Sequence, residues 1–105
     1  MSIPVYSTVF AALAGFTGVD TSVVPLGYVA VLRDLDATVG ISAGMLITLT
    51  GTNGQIIWAW EPGVTTGKVS NQWRGRQVVG PAGTFSITTN APADVTLSGW
   101  LLTAP

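Results

Sequence analysis

The chain has 105 residues, with four basic and five acidic side chains, no histidine, no cysteine and a net charge of −1. These absences exclude Ser-His-Asp and Cys-His catalysis and zinc sites built from nitrogen and sulfur ligands, and the sequence has no glycine-rich phosphate-binding motif. Four basic residues are also too few for a nucleic-acid footprint, so we predict no enzyme activity, cofactor, metal or nucleic-acid partner.

The N-terminal third of the chain alternates apolar and polar residues as strands do. A first strand is predicted over residues 3–10, and only residues 9–14 have a pattern that would form a helical turn. Asp34 and Asp36 follow a second predicted strand, where we expect them to begin a turn and face solvent, with a calcium site as the alternative. The two faces of that strand, residues 27–33, carry Tyr28, Ala30 and Leu32 on one side and Val29, Val31 and Arg33 on the other.

The clearest hairpin lies in the middle of the chain. Residues 45–50 form a strand whose apolar face carries Ile47 and Leu49, and an Asn-Gly pair then supplies the positive φ angles of a type I′ turn. Residues 55–61 return, and their predicted core residues are Ile56, Trp58 and Trp60. A subunit interface and a ligand platform are the alternatives for the two tryptophans.

The C-terminal third repeats this pattern. Strands over residues 72–79 and 84–89 are predicted to form a second hairpin through a turn at residues 81–83. After a break at residues 90–92, a last strand covers residues 93–103. The predicted inward-facing residues of these strands are Phe85, Ile87, Val95 and Leu97.

Two segments of this region carry candidate contact residues. Gly99 is expected to mark a bulge or a close backbone approach, and if the alternation continues through it, Trp100 points away from the core. Arg74 and Arg76 share one strand face, where they solvate the sheet or form salt bridges to a neighbouring subunit, with an anionic ligand as the alternative. The candidate interface residues are Trp100, Trp73, Arg74, Arg76 and Tyr28.

Turn residues separate these short β-rich runs throughout the chain, which has 13 glycines and 6 prolines. The pattern predicts an all-β protein: a single antiparallel β-sandwich or jelly-roll-like domain, residues 1–105, with about 7–8 strands.

Charge is sparse on this chain, since charged residues make up 9% of the sequence and the mean hydropathy is +0.53. Globular proteins average about 25% charged residues, and large uncharged patches usually mark partner surfaces. We therefore predict an assembly subunit, most simply a homo-oligomer. The longest apolar stretch, residues 23–32, is interrupted by Pro25 and Gly27 and is shorter than the roughly 20 residues of a membrane-spanning helix. The N-terminus lacks the positive region of a secretion signal, so we expect synthesis in a cytoplasm.

Three segments, taken together, resemble small virion proteins of long-tailed bacteriophages, particularly those that infect actinobacteria. They are VPLGYVAVLRD at residues 24–34, WRGRQVVGPAGT at 73–84 and DVTLSGWLL at 94–102. In such proteins a Pro-x-Gly turn leads into a strand ending in Arg-Asp, a Trp-x-Gly-Arg segment precedes a Pro-Gly turn, and a Ser-Gly-aromatic strand closes the chain. Here Ala82 splits the Pro-Gly turn, and Trp100 stands where tyrosine is more usual. The resemblance implies a β-sandwich virion subunit and transfers no active site.

The leading functional hypothesis is therefore a non-enzymatic virion component, a minor tail protein that assembles as a homo-oligomer with other virion proteins. Capsid decoration is a close variant of it. The alternative from another class is a host-surface or carbohydrate-binding module of the virion, which would use exposed tryptophans to bind a cell-surface glycan.

Overall fold

Antiparallel strands form nearly all of the structure that the computed structural model describes, which is residues 5–40, 45–62 and 67–103. This confirms the predicted all-β antiparallel class. The strands are β1 (Val5–Val23), β2 (Tyr28–Val39), β3 (Ile47–Thr50), β4 (Ile56–Trp60), β5 (Val69–Val79) and β6 (Thr84–Thr103), with a short 3₁₀ turn at Thr52–Gly54. Among the described residues, no helix has the length and apolarity needed to cross a membrane.

The long strand β6 organises the whole sheet. One of its edges pairs with β1 along nearly its full length, while the other pairs with β2 near its C-terminal end and with β3 near its N-terminal end. β5 lies outside β2, and β4 lies outside β3. The sheet therefore has two four-stranded halves, one in the order β5–β2–β6–β1 and the other in the order β4–β3–β6–β1. Because β1 and β6 each serve both halves, six strands make the eight strand segments of a jelly-roll arrangement.

The predicted break at residues 90–92 is wrong, because β6 continues through it. The β1–β6 ladder is nonetheless irregular there, because the register passes from Thr89 opposite Gly18 to Ala93 opposite Phe16, and it shifts again between Phe16 and Leu13. Such bulges bend and twist a strand without ending it. The curvature brings Phe10 and Phe85, which lie far apart along the β1–β6 ladder, to 5.3 Å between ring centroids in an edge-to-face contact. The predicted helical turn at residues 9–14 is likewise strand.

The predicted second hairpin is also wrong, because β2 lies between β5 and β6. A tight turn does form, in which the Gly83 amide donates to the Gly80 carbonyl at 3.0 Å and Ala82 has a φ of 61°. This turn connects β5 and β6 across the end of β2, which lies between them in the sheet. The Val24 amide donates to the Gly83 carbonyl at 2.9 Å and so fastens the turn to the segment that enters β2.

Strand β2 extends to Val39, beyond the predicted end at Arg33. A bulge at Arg33 interrupts its alternation, so that different positions face inward before and after it. Relative to β6, the register passes from Leu32 opposite Gly99 to Asp34 opposite Ser98, which leaves Arg33 as the extra residue. The buried inward positions are therefore even-numbered before the bulge and odd-numbered after it: Ala30, Leu32, Leu35, Ala37 and Val39. The prediction that Asp34 and Asp36 begin a turn is wrong, because both residues lie within β2, on its outer face.

The β3–β4 hairpin is confirmed, and Asn53 and Gly54 have φ angles of 62° and 75° at its turn. The prediction that Ile56 lies in the core is wrong, since this side chain is 65% exposed. The register steps from Leu49 opposite Trp58 to Thr50 opposite Ile56, so Ile57 is an extra residue and packs against the core in place of Ile56. A bulge reverses the alternation at this point.

The core lies between the two halves. Of the predicted core residues, those that are 3% exposed or less are Ile47, Leu49, Phe85, Ile87, Val95 and Leu97. Trp58 and Trp60 are only partly buried; they pack against this cluster with ring centroids 6.4 Å apart.

Candidate protein-interaction surface

The outer face of the β5–β2–β6–β1 half carries a row of apolar side chains. Val31 on β2 is directly opposite Trp100 on β6 and Val78 on β5. Trp100 is 39% exposed and Val78 50%, whereas Val31, on the same outer face, is only 5% exposed because its neighbours cover it. Cross-strand neighbours on one face lie about 5 Å apart, so the three side chains form a continuous surface.

This surface extends along both flanking strands. Leu102 follows Trp100 on the outer face of β6 and is half-buried. Val9 on β1 is 59% exposed and lies diagonally across from Trp100, whose direct partner on β1 is Ser7. We call this set the outer patch: Val9, Val31, Val78, Trp100 and Leu102.

Gly99 sets the position of Trp100. The alternation of β6 continues through Gly99, with Leu97 buried on the inner side and Trp100 on the outer side. A Cβ at position 99 would collide with the backbone carbonyl of Val31, so only glycine lets β2 approach β6 this closely. The structure thus places Trp100 on the face opposite Leu97.

A shallow cavity of about 240 Å³ lies within the outer patch and is lined by Val31, Arg33, Arg76, Trp100 and Leu102. The guanidinium groups come from the two bulged positions of neighbouring strands, since Arg33 is the extra residue of β2 against β6 and Arg76 lies where β5 has an extra residue against β2. Both arginines are exposed, and in the part of the chain that the structure describes neither forms a salt bridge. The cavity is therefore lined by apolar side chains and by two arginines that have no salt bridge among the described residues.

Arg74 behaves differently from Arg76, although both project from the outer face of β5. Its Nε lies 3.5 Å from Asp34 Oδ1 and its NH2 group donates to Asp36 Oδ1 at 2.8 Å. The hydrogen bond to Asp36 is the main cause of a raised Arg74 pKa, and the charges of both carboxylates add to it. Arg74 is therefore paired within its own chain, with Asp34 and Asp36.

The same ion pairs bear on the calcium hypothesis. Asp34 and Asp36 are both within salt-bridge distance of Arg74, which competes with a cation for their oxygens. Within residues 5–40, 45–62 and 67–103, no group of three or more potential metal-ligating acidic side chains comes together.

The remaining candidate interface residues, Trp73 and Tyr28, are partly buried and pack against the core. The indole of Trp73 lies over Gly75, where a Cβ would collide with the ring. The structure thus brings Trp100 and Arg76 together on the outer patch and leaves Trp73, Tyr28 and Arg74 outside it.

Sequence reasoning did not select Arg33, Val31 or Val78 as contact residues. A signal for the first two was present, because alternation over residues 27–33 places Val31 and Arg33 on the face opposite the core-directed residues. The pairing of that face with Trp100 depends on strand order, which alternation alone does not contain.

Comparisons with known proteins bear on the fold. No protein-family model and no curated protein sequence matches this chain. Among solved structures, it is similar to a chain of the T13 viral particle of infectious bursal disease virus (IBDV), with a TM-score of 0.56, 12% identity, and coverage of 96% of this chain and 31% of that one. A chain of the IBDV Gx strain gives a TM-score of 0.47 at 14% identity, covering 96% and 32%. The chain thus spans about a third of the length of these viral chains, and the first similarity shows a shared fold.

Proposed function

We propose that this chain is a non-enzymatic structural subunit of a virion, located in the particle, where it assembles with copies of itself and with other virion proteins. The observation that carries the proposal is the outer patch, in which Trp100, Val31 and Val78 form a continuous apolar row on an exposed sheet face. Aromatic residues at the centre of such surfaces are typical anchors of protein interfaces. The fold shared with a viral-particle chain supports the same class of function.

Within this class, we propose a minor tail protein of a long-tailed bacteriophage, made in the host cytoplasm, with capsid decoration as a variant. The support is the three-segment resemblance together with its position in the fold. Residues 24–34, 73–84 and 94–102 fall largely on β2, β5 and β6, which are neighbours in one half of the sheet. The segments that resemble virion proteins therefore carry most of the outer patch.

Matched valine substitutions test the role of the outer patch. Light scattering on the purified protein should show a stable oligomer. Val78→Glu places a charge in the outer patch and should yield a monomer, whereas Val19→Glu, at a valine that is 63% exposed on the other half, should leave the oligomer intact. A wild-type monomer that binds no virion component would overturn the proposal.

One observation favours the second candidate, a host-surface glycan-binding module: Trp100 is 39% exposed in the single chain. Sugar rings stack on exposed indole faces. Acrylamide quenching of the assembled protein separates the two candidates, because a subunit interface shields Trp100 and a glycan platform leaves it open. Loss of Trp100 quenching on assembly would therefore exclude that tryptophan as a glycan platform.

A further inference from the structure

We propose that the cavity between Arg33 and Arg76 binds an acidic side chain, flanked by apolar residues, on a second copy of this chain. The inference rests on the proposed homo-oligomer and adds the chemistry of its contact. It starts from the two arginines that line the cavity, Arg33 and Arg76, which have no salt bridge among the described residues.

The lining of the cavity defines the class of occupant. Val31, Leu102 and Trp100 provide an apolar surface, and among the described residues that line the cavity the only charged ones are Arg33 and Arg76. Arginine pairs with carboxylates through two parallel hydrogen bonds. A saccharide fits poorly, because its hydroxyl groups also need acceptors and no lining side chain has a good one. The occupant is therefore a carboxylate carried on an apolar body.

The charges left over within one chain indicate the source of that carboxylate. Asp34 and Asp36 pair with Arg74, and Asp94 Oδ1 accepts a hydrogen bond from the Gly15 amide at 2.8 Å. That leaves Asp20 and Glu61, for which the described residues provide no salt bridge.

Of the two remaining acids, Glu61 is the accessible one. Asp20 lies opposite the buried Ile87 and is itself partly buried, whereas Glu61 is exposed and follows Trp60, which packs against the core. Glu61 and the two cavity arginines, which have no salt bridge among the described residues, are complementary in a contact between copies. A head-to-tail contact of this kind repeats from one copy to the next.

Charge exchange tests this contact. The cavity variant carries Arg33→Glu and Arg76→Glu, and the acid variant carries Asp20→Lys and Glu61→Lys. Glu61→Lys alone is a second acid variant, since Asp20 is partly buried. Lys68→Glu reverses an exposed cation outside the cavity and serves as the control for Arg76→Glu. Circular dichroism and urea unfolding establish that each variant is folded.

Sedimentation velocity should show self-association at least about tenfold weaker for the cavity and acid variants, with Lys68→Glu unchanged. An equimolar mixture of cavity and acid variants should associate again, because every contact then joins opposite charges. Wild-type association by the cavity variant would overturn the inference and leave the proposed function standing. Failure of the mixture to associate would overturn the second copy as the occupant. A monomeric wild-type protein that binds no virion component would instead refute the proposed function itself.

Discussion

The backbone carbonyl of Val31 occupies the space that a side chain at Gly99 would need. This close approach of β2 and β6 occurs beside the bulge that makes Arg33 an extra residue. Val31 is also the direct cross-strand partner of Trp100, so the backbone geometry at Gly99 positions both the apolar row and the cavity arginine.

Gly99→Ala is therefore expected to destabilise the protein by about 3 kcal/mol, since the new methyl group must push apart two paired strands. Urea unfolding followed by tryptophan fluorescence measures the loss. Gly67→Ala is the control, because a Cβ there has no neighbour within 4 Å, and it should change the free energy of unfolding by less than about 0.5 kcal/mol. Equal effects of the two substitutions would contradict the close approach.

Substitutions of Trp100 and Trp58 should differ in whether they mainly weaken self-association or mainly lower the stability of the subunit. Trp100→Ala removes an exposed anchor of the outer patch and is expected to weaken self-association by about 2 kcal/mol, roughly 30-fold, with a smaller loss of subunit stability. Trp58→Ala removes a ring that packs against the core and should lower stability more than association. Sedimentation equilibrium and urea unfolding measure the two quantities. If Trp100→Ala impairs folding alone, Trp100 is a structural residue and not a contact.

Strand alternation predicted much of the core but not the bulges. Along β6 the period of two holds from Phe85 to Leu97, so the inward residues of this strand were predictable from the sequence. At Arg33 and Ile57 an extra residue reverses the pattern, and nothing in the local sequence marks either position. Bulges arise from the pairing with neighbouring strands, which is a long-range property.

The bulge at Ile57 leads to an expectation opposite to that of simple alternation. Ile57→Ala should cost about 2 kcal/mol because Ile57 packs against the core, while Ile56→Ala should cost less than about 0.5 kcal/mol. The two isoleucines are adjacent and undergo the same change, so each is the control for the other. Thermal and urea unfolding measure the difference, and a larger loss for Ile56→Ala would place the bulge elsewhere.

The candidate site was predictable in part for a similar reason. Alternation correctly separated Arg74 and Arg76 from Trp73, but it does not show which arginine has a partner. Arg74 meets Asp34 and Asp36 only because β5 lies beside β2 in this register. Only the pairing of strands shows that Arg74 has acidic partners and that Arg76 has no salt bridge among the described residues.

Arg74→Gln should therefore reduce stability slightly, because Asp34 and Asp36 then repel each other on one strand face, and the reduction should shrink as salt is added. Because folding raises the pKa of Arg74, its contribution is fully present below the ordinary arginine pKa and is lost only as the pH rises through the raised value. Urea midpoints at low and high NaCl measure the effect. Arg76→Gln is the matched control and should show no such salt-dependent loss.

Thr89 tests how β1 and β6 are joined where they pass from one half of the sheet to the other. Its hydroxyl donates to the Phe16 carbonyl at 2.9 Å, and the residue is 3% exposed. Phe16 lies between two register shifts of β1, and the Thr89 side chain supplies a hydrogen-bond donor to its carbonyl there.

Thr89→Val keeps the shape and removes the donor, which should cost about 1–3 kcal/mol because the carbonyl is left without that bond. Thr88→Val makes the same change on the outer face and should be close to neutral. Hydrogen exchange should also quicken around residues 14–18 in Thr89→Val alone, and equal protection in both variants would mean that this hydrogen bond does not hold the crossing together.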